Sequence, residues 1–263
     1  MNLGSNAAVP VRRTLRLLQT SDVHLGPASV EPTGRHHEKE CVCPIDVISH
    51  FVEEHDVDVV LLVGDLFDHA RVSDQLVVET FARLGRVRAE VALLPGNHDQ
   101  FDERALYRRH REAIDAAGVR FFDDVNGMAH DLADGALRLW ARCMEDHTPQ
   151  YTPLVGAPAH PGDRWYVVAG HGHFVSSADD LHRSSPITAS DIEATQADYV
   201  ALGHWHVMTD LTAKGVVTPA WYSGAPLFGY GAGQMLLVDL VPGLRPQVQA
   251  IAVLEHPAGA CNV

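Results

Sequence analysis

Five apolar segments of this chain each stop at a short polar cluster, and this repeated arrangement limits the possible folds more than any other feature of the sequence. The clusters are SDVHLG at 21–26, GDLFD at 64–68, GNHD at 96–99, GHGH at 170–173 and GHWH at 203–206. One of the preceding segments, Val57–Val63, is nearly all aliphatic, which is typical of a strand covered on both faces. Ligands gather beyond the carboxyl ends of strands in open α/β sheets, so we expect the five clusters to meet at one edge.

The first half of the chain alternates predicted strands and helices, as βαβ units do. The spacing of Ile45, Ile48 and Val52 predicts a helix, and Ser73 is a good N-cap for a second helix. The other elements predicted here are strands over Leu15–Thr20 and Glu90–Leu94 and a helix over Arg104–Ala117.

The second half favours strands. Apolar and polar residues alternate over Leu137–Cys143, which predicts a half-exposed strand. Further strands are predicted over Trp165–Ala169, Tyr199–Leu202, Gln234–Leu240 and Gln247–Leu254, and residues 145–163 are predicted to be a long surface loop. The whole pattern predicts a single α/β domain over residues 14–255, with two sheets packed face to face, helices outside them, and tails at 1–13 and 256–263.

The charge and the apolar pattern exclude some function classes. A formal net charge of −14 opposes general binding to nucleic acid, which usually needs a basic face, although a locally positive site stays possible. No apolar run approaches the length of a membrane span. Arg16 interrupts the apolar stretch that a secretory signal would need. We therefore expect a cytoplasmic protein with no membrane partner.

The cysteines are too few and too scattered for a disulfide framework. Cys41 and Cys43, with His36 and His37 nearby, raise the alternative of a zinc clip, but their spacing is not that of a standard zinc motif. Reduced, unpaired thiols are the favoured interpretation.

Each polar cluster alone can be explained as a turn with capping side chains. Five of them at strand ends in one chain favour a shared metal site instead, and their spacing suggests two ions. Carboxylate, imidazole and amide ligands without thiolate suit divalent Mn, Fe or Zn, and the sequence does not choose among these metals.

In this order, the clusters resemble the signature of the calcineurin-like metallophosphoesterases: Asp-x-His, Gly-Asp-x-x-Asp, Gly-Asn-His-Asp/Glu, a single His and Gly-His-x-His. The matching segments are Asp22–His24, Gly64–Asp68, Gly96–Asp99, His171 and Gly203–His206, and the resemblance covers about residues 14–241. It implies a four-layer α/β fold of two mixed sheets flanked by helices. It also implies a dinuclear metal centre at which a bridging hydroxide hydrolyses a phosphoester.

The resemblance also assigns roles to individual residues. Asp22, His24 and His206 would hold one ion, Asn97, His171 and His204 would hold the other, and Asp65 would bridge both. His98 would protonate the leaving oxygen or stabilise charge on the phosphoryl group, and Asp99 would orient its imidazole. Asp68 and His173 are expected to lie near the ligands or at the surface without binding metal.

GHWH adds a geometric expectation. If residues 203–206 stay near-extended, His204 and His206 point to the same side and Trp205 points away. Each of the two histidines is expected to bind a different ion.

Several segments are also similar to the SbcD-like DNA-repair nucleases, among them LLVGDLFDHARVS at 61–73 and WYSGAPLFGYGAGQMLLVDL at 221–240. Such nucleases continue into a capping domain and a segment that binds an ATPase, which we do not expect here because the sequence ends at Val263.

Two sets of side chains bear on nucleic-acid binding. Arg104, Arg108 and Arg111 could meet a phosphate backbone, but a solvated helix face is the favoured interpretation. Trp205, Tyr107 and Phe101 could stack on a base, although aromatic residues at strand ends usually pack in the core.

The sequence therefore predicts a dinuclear metal-dependent phosphoesterase, and a phosphodiesterase in particular. A DNA exonuclease or endonuclease of the SbcD-like type is the first alternative. A catalytically inactive scaffold is the second, and it is disfavoured because all seven inferred ligands and His98 are present.

Overall fold

Two six-stranded mixed sheets form the centre of the computed structural model, which describes residues 12–26, 43–176, 182–226 and 233–253. The strands, in chain order, are β1 (Leu15–Thr20), β2 (Val59–Val63), β3 (Glu90–Leu94), β4 (Arg120–Phe121), β5 (Met128–Leu132), β6 (Leu137–Ala141), β7 (Trp165–His171), β8 (His173–Phe174), β9 (Pro186–Ile187), β10 (Tyr199–Gly203), β11 (Thr209–Asp210), β12 (Ala220–Tyr222), β13 (Gln234–Leu240) and β14 (Gln247–Ala252).

In both sheets the parallel strands are adjacent, and antiparallel strands lie at one edge of the first sheet and at both edges of the second. The first sheet has the order β14-β13-β1-β2-β3-β4, and β1 to β4 are parallel. The second has the order β11-β12-β10-β7-β6-β5, and β6, β7, β10 and β12 are parallel. Strands β8 and β9 form a separate parallel pair. Within each sheet the parallel strands therefore end at a common edge.

The helices are α1 (Pro44–His55), α2 (Asp74–Leu84), α3 (Leu106–Arg109), α4 (Arg111–Ala116) and α5 (Ala189–Ala194). Pro44 occupies the start of α1, where its missing N–H costs nothing. The Ser73 hydroxyl accepts a hydrogen bond from the Leu76 amide at 3.2 Å and caps α2, as predicted. A capping box of Thr188 and Asp191 starts α5.

The aliphatic residues of β2 divide between two cores. Val59, Leu61 and Val63 pack between the two sheets, whereas Val60 and Leu62 pack against the helices that cover the first sheet. Ile192 of α5 belongs to a third apolar cluster on the outer face of the second sheet. The order of layers is therefore helices, sheet, sheet, helix, and the predicted fold class is confirmed.

A buried polar bridge joins the sheets near the end of β1. The Gln19 side-chain amide donates to the carbonyl oxygens of Leu202 at 3.1 Å and Trp221 at 3.0 Å. Its own oxygen accepts a hydrogen bond from the Tyr199 hydroxyl at 2.6 Å. Because a buried polar group without a partner is costly, these bonds favour one relative position of the two sheets.

Some predicted element bounds differ from the structure. The helix predicted over Arg104–Ala117 is wrong in extent, because the chain forms two short helices separated at His110, whose φ is −112°. Residues 145–163 lack regular secondary structure as predicted, but Tyr151 and Leu154 within them are buried rather than at the surface. The strand predicted to start at Val57 starts at Val59.

Several predictions fall on residues outside the described ranges. His36, His37 and Cys41 of the considered zinc clip lie there, as do residues 1–11 of the first predicted tail, the whole predicted tail at 256–263 and the last two residues of the predicted domain, so the domain bounds stay a prediction. Cys43 and Cys143 are buried free thiols. Among the described helices, none combines the length and the apolar composition needed to cross a membrane. The cytoplasmic location stays a prediction.

Candidate metal centre

The five polar clusters follow strands whose carboxyl ends meet where the two sheets face each other. In the first sheet, β1 leads to Asp22 and His24, β2 to Asp65, and β3 to Asn97; in the second, β7 ends at His171 and β10 leads to His204 and His206. The sheet ends approach so closely that a methyl group at Gly203 would lie 1.9 Å from the Val63 carbonyl oxygen. The structure therefore brings all seven predicted ligands to one edge of the sandwich.

Asp22, His24 and His206 form the first candidate ligand group. The Nε2 atoms of His24 and His206 are 3.3 Å apart, and His206 Nε2 is 3.7 Å from Asp22 Oδ1. The Ser21 hydroxyl and the His204 amide both donate to the other carboxylate oxygen, Asp22 Oδ2, at 2.5 and 3.1 Å. These two bonds leave Oδ1 facing the histidines.

Asn97, His171 and His204 form the second candidate ligand group. The Asn97 side-chain oxygen is 3.0 Å from His171 Nε2 and 2.7 Å from His204 Nδ1. His171 Nδ1 donates to the Val63 carbonyl at 2.9 Å, which directs Nε2 into the site, as is usual for histidines that bind metals.

Asp65 lies between the two groups. Its Oδ2 atom is 3.4 Å from His171 Nε2 of the second group and 4.0 Å from His24 Nε2 of the first. The other oxygen, Oδ1, accepts a hydrogen bond from the His98 amide at 2.8 Å. One carboxylate oxygen thus faces both groups, which is the arrangement that a bridging ligand requires.

The backbone is strained at four of the candidate ligands. Asp22, His24, Asp65 and His204 have φ values of 55°, 51°, 53° and 101°. Residues other than glycine rarely adopt this region, and each instance costs about 1–3 kcal/mol. Strain of this kind concentrates at functional sites, where it fixes the direction of a side chain.

Two glycines in the clusters are needed for close approach. A Cβ atom at Gly64, whose φ is +85°, would lie 2.1 Å from His171 Nδ1. A Cβ atom at Gly96 would lie 2.1 Å from Asp65 Oδ1. Any side chain at either position would therefore displace a candidate ligand.

Burial controls the charge of the imidazoles. It lowers the pKa of His24 to about 4 and that of His204 to about 3, so both rings are neutral near pH 7, the form that binds metal. Burial alone would also lower the pKa of His171, but its neighbour Asp65 raises that pKa to about 9. Burial raises the pKa of Asp22. A positive charge bound beside Asp22 would therefore stabilise its buried carboxylate in the ionised form.

The donor set fits divalent metal ions. The buried Asp22 Oδ1 has no hydrogen-bond partner among the described residues, although an unpaired buried carboxylate oxygen is costly. Three overlapping groups of described residues could each hold an ion, namely Asp22-His24-His206, His24-Asp65-His98 and Asp22-Asp65-His171, with ligand atoms within 4.8 Å of one another. Carboxylate, imidazole and amide oxygen are the ligands expected for Mn, Fe or Zn.

His98 lies beside the first group with its side chain 42% exposed. Its ring is 4.6 Å from that of His24, between centroids. His98 Nδ1 donates to the Asp68 carbonyl oxygen at 2.6 Å, and an Asp68 carboxylate oxygen is 3.8 Å away. Asp68 Oδ1 is also 3.4 Å from His24 Nδ1. Asp68 therefore lies next to both imidazoles.

Asp99 does not contact the His98 ring, contrary to the expectation that it orients that imidazole. Its buried carboxylate accepts hydrogen bonds from the Gly96 amide at 2.7 Å, the Phe67 amide at 3.1 Å and the Tyr107 hydroxyl at 2.5 Å. Burial, with Asp65 nearby, raises the pKa of Asp99 to about 6. The Asp99 carboxylate points away from the His98 ring because it is bonded to these three donors. Through the bonds to Gly96 and Phe67 it joins the GNHD loop to the GDLFD loop.

The backbone of GHWH is not extended, so the condition attached to that prediction is not met. Strand β10 ends at Gly203, and His204 has a φ of 101°. The turn at His204, rather than an alternating strand, sends its ring to Asn97 while His206 reaches His24 and Asp22. The two histidines do contact different ligand groups.

Two histidines flank the second group. His173 has its ring 6.0 Å from that of His204. The other is His147, which was not predicted from the sequence. Its ring is 5.4 Å from that of His204, and its Nδ1 is 2.8 Å from the Ser185 hydroxyl. His147 gives no sequence signal, because it lies in the irregular segment after β6.

The arginines considered for a phosphate backbone make contacts within the chain. The Arg108 guanidinium lies 4.0 Å from the Phe101 ring centroid and donates to the Asp102 carbonyl oxygen at 2.9 Å. Arg111 pairs with Asp115 and Asp123. These contacts agree with the favoured interpretation of a solvated face.

The fold and the ligand groups define this chain as a metallophosphoesterase. It belongs to the calcineurin-like phosphoesterase family, whose model matches residues 15–208.

Two relatives and one solved structure extend this result. The chain is 26% identical to the SbcD component of the nuclease SbcCD from Bacillus subtilis (strain 168), over 87% of this chain and 67% of that protein. It is 33% identical to the DNA double-strand break repair protein Mre11 of Methanopyrus kandleri, over 40% of this chain and 22% of that protein. The calcineurin-like phosphoesterase YfkN from Bacillus subtilis has a similar fold, with a TM-score of 0.56 at 11% identity over 92% of this chain and 91% of the compared chain.

Proposed function

We propose that this chain is a metal-dependent phosphodiesterase in which the seven predicted ligands hold two divalent transition metal ions, Mn, Fe or Zn. The observation that carries the proposal is the position of Asp65 Oδ2, which lies 3.4 Å from His171 Nε2 and 4.0 Å from His24 Nε2, between the two candidate ligand groups. Two such ions would supply Lewis-acid activation of a phosphoryl group and of the attacking water.

The residues of the chain would bind and orient the substrate and move a proton. Because the His98 Nδ1–H is held by the Asp68 carbonyl oxygen, Nε2 is the ring atom that can face a leaving oxygen. A doubly protonated ring would donate its Nε2 proton to that oxygen and become neutral. The exposed position of His98 gives substrate access to that atom. Asp68, next to both His98 and His24, would keep the two rings in a fixed relative orientation.

Charge supports an anionic phosphoester as the substrate. Two divalent ions against the carboxylates of Asp22 and Asp65 leave a small positive charge in an otherwise acidic protein. Such a site attracts the negative charge of a phosphodiester or a phosphomonoester.

The test combines metal analysis with a hydrolysis assay. The purified chain is stripped with EDTA, reloaded with Mn²⁺, Fe²⁺ or Zn²⁺, and assayed with bis(p-nitrophenyl) phosphate and with p-nitrophenyl phosphate. We expect about two ions per chain and metal-dependent hydrolysis that is faster for the diester. A chain that binds metal but hydrolyses neither ester would support the inactive scaffold, and faster monoester hydrolysis would contradict the diesterase.

A nuclease is the second candidate, and the names of the two relatives favour it. The net charge of −14 and the contacts of Arg108 and Arg111 within the chain favour a smaller substrate. Adding single- and double-stranded DNA to the assay separates the two, because a nuclease would cleave DNA with a catalytic efficiency at least equal to that for the small diester.

A further inference from the structure

Trp205 is the one residue of the three considered for base stacking that reaches the surface. Its side chain is 45% exposed, whereas Phe101 is 5% exposed and Tyr107 is fully buried. Trp205 lies between the predicted ligands His204 and His206, and the next apolar residue, Val207, is 58% exposed. Exposing an indole costs free energy that burial would recover, so its position beside the metal centre needs an explanation.

His173 connects Trp205 to the metal centre. Its ring lies edge-on to Trp205, with centroids 5.5 Å apart and planes at 69°. The same ring is 6.0 Å from the ring of His204. A continuous aromatic strip therefore runs from His204 through His173 to Trp205, and the edge-on contact restricts the orientation of the indole.

We propose that Trp205 is a substrate-binding residue on which an unpaired nucleobase stacks while the neighbouring phosphodiester lies at the metal centre. The inference rests on the proposed function and names its substrate class. Aromatic side chains in single-strand binding sites stack on bases in this way, with little dependence on base identity. A protein partner fits less well, because Trp205 and Val207 offer far less than the roughly 800 Å² that each side of a stable interface buries.

The strip and His98 contact different ligand groups. His98 lies against His24 of the first group, with ring centroids 4.6 Å apart, and the strip begins at His204 of the second. A phosphate that spans both groups would place the leaving oxygen near His98 and its other substituent near Trp205. The stacked base therefore belongs to the half of the substrate that keeps the phosphate.

The test uses two diesters with the same leaving group, the p-nitrophenyl ester of thymidine 5′-phosphate and methyl p-nitrophenyl phosphate. The variants are Trp205→Ala, Trp205→Phe, and Leu244→Ala as a control at an exposed apolar residue in the turn before β14. We expect the kcat/KM ratio of the nucleoside ester to the methyl ester to fall about tenfold in Trp205→Ala, mainly through KM. Trp205→Phe should keep most of the ratio, and Leu244→Ala should keep all of it. Metal content is measured for each variant.

A binding measurement separates this inference from the proposed function. A fluorescently labelled thymidine tetranucleotide and its abasic counterpart are titrated with each variant. Tighter binding of the base-bearing strand that is lost in Trp205→Ala supports the inference even if no diester is hydrolysed, in which case the proposed function alone fails. Hydrolysis with the same ester ratio in Trp205→Ala and wild type overturns the inference alone. If the wild-type chain shows no hydrolysis and no base-dependent binding, both the inference and the proposed function are overturned.

Discussion

His204 and His206 reach different ligand groups although one residue separates them, because the backbone turns at His204. We expect His206→Ala to weaken the ion shared with Asp22 and His24, and His204→Ala to weaken the ion shared with Asn97 and His171. In calorimetric titrations with Mn²⁺, wild type should bind about two ions, and each variant should lose a different one of the two binding phases. Loss of the same phase in both variants would contradict the division into two groups.

His98 lies beside the ligands rather than among the seven predicted ones, so its role can be separated from metal binding. We expect His98→Gln to keep both ions and to lower kcat for the diester about a hundredfold or more, because a positioned proton donor contributes about 10²–10⁴-fold. The matched control is His50→Gln on the exposed face of α1, which should leave kcat unchanged. If His98→Gln turns over the diester as fast as the wild type, His98 is not the proton donor.

The sequence predicted the identity of the clustered residues better than the direction of their side chains. Motif order was sufficient to name Asp22, His24 and Asp65, because each follows a strand that ends at the common edge. The partner of His98 was not predictable in the same way. Asp99 is adjacent in sequence but turns to three donors beneath the loop, whereas the distant Asp68 supplies the carbonyl oxygen.

At the scale of elements, the loops after β2 and β3 are held so close that glycine is required between them. We expect Gly96→Ala to push the Asp65 carboxylate aside, since the new Cβ would lie 2.1 Å from its Oδ1, and to weaken metal binding at least tenfold. Isothermal titration with Mn²⁺ measures the affinity, and urea unfolding measures stability. Gly118→Ala is the control, because its φ of +69° strains any side chain while nothing lies within 4 Å of the new Cβ. It should lower the free energy of unfolding by about 1–2 kcal/mol without changing metal affinity.

The sequence predicted the long strands better than the two-residue strands and the break between the two short helices. The strand over β2 is recognisable because burial on both faces demands a continuous aliphatic run. Strands β8, β9 and β11 have two residues each, too few to show a period of two. The break at His110 depends on contacts across the fold, since its Nε2 lies 2.9 Å from an Asp74 carboxylate oxygen of α2.

At the scale of the whole molecule, the candidate site exists only where the two sheets meet. Asp22, Asp65 and Asn97 come from the first sheet, and His171 and His204 from the second. The first sheet alone cannot provide the second ligand group, and the second sheet alone provides no carboxylate among the predicted ligands. The sequence predicted two face-to-face sheets from strand pattern, but their relative position depends on packing and on buried hydrogen bonds such as those of Gln19.

Gln19 therefore links the stability of the sandwich to the geometry of the site. We expect Gln19→Leu to lower the free energy of unfolding by about 2–4 kcal/mol, because the Tyr199 hydroxyl and two buried carbonyl groups lose their partner. Tyr199→Phe, which removes a single bond, should cost about 1 kcal/mol. The double variant should cost less than the sum of the two, since both changes disrupt one network. Urea unfolding measures all three.

The same variants test whether the bridge also positions the ligands. If it does, Gln19→Leu weakens Mn²⁺ binding while Tyr199→Phe, which leaves both bonds to the carbonyl groups of Leu202 and Trp221, changes it much less. Leu202 is the key contact, because it directly precedes Gly203 and the GHWH turn. If Gln19→Leu loses stability but keeps the metal affinity of the wild type, the sheets position the two ligand groups without the help of the Gln19 hydrogen bonds.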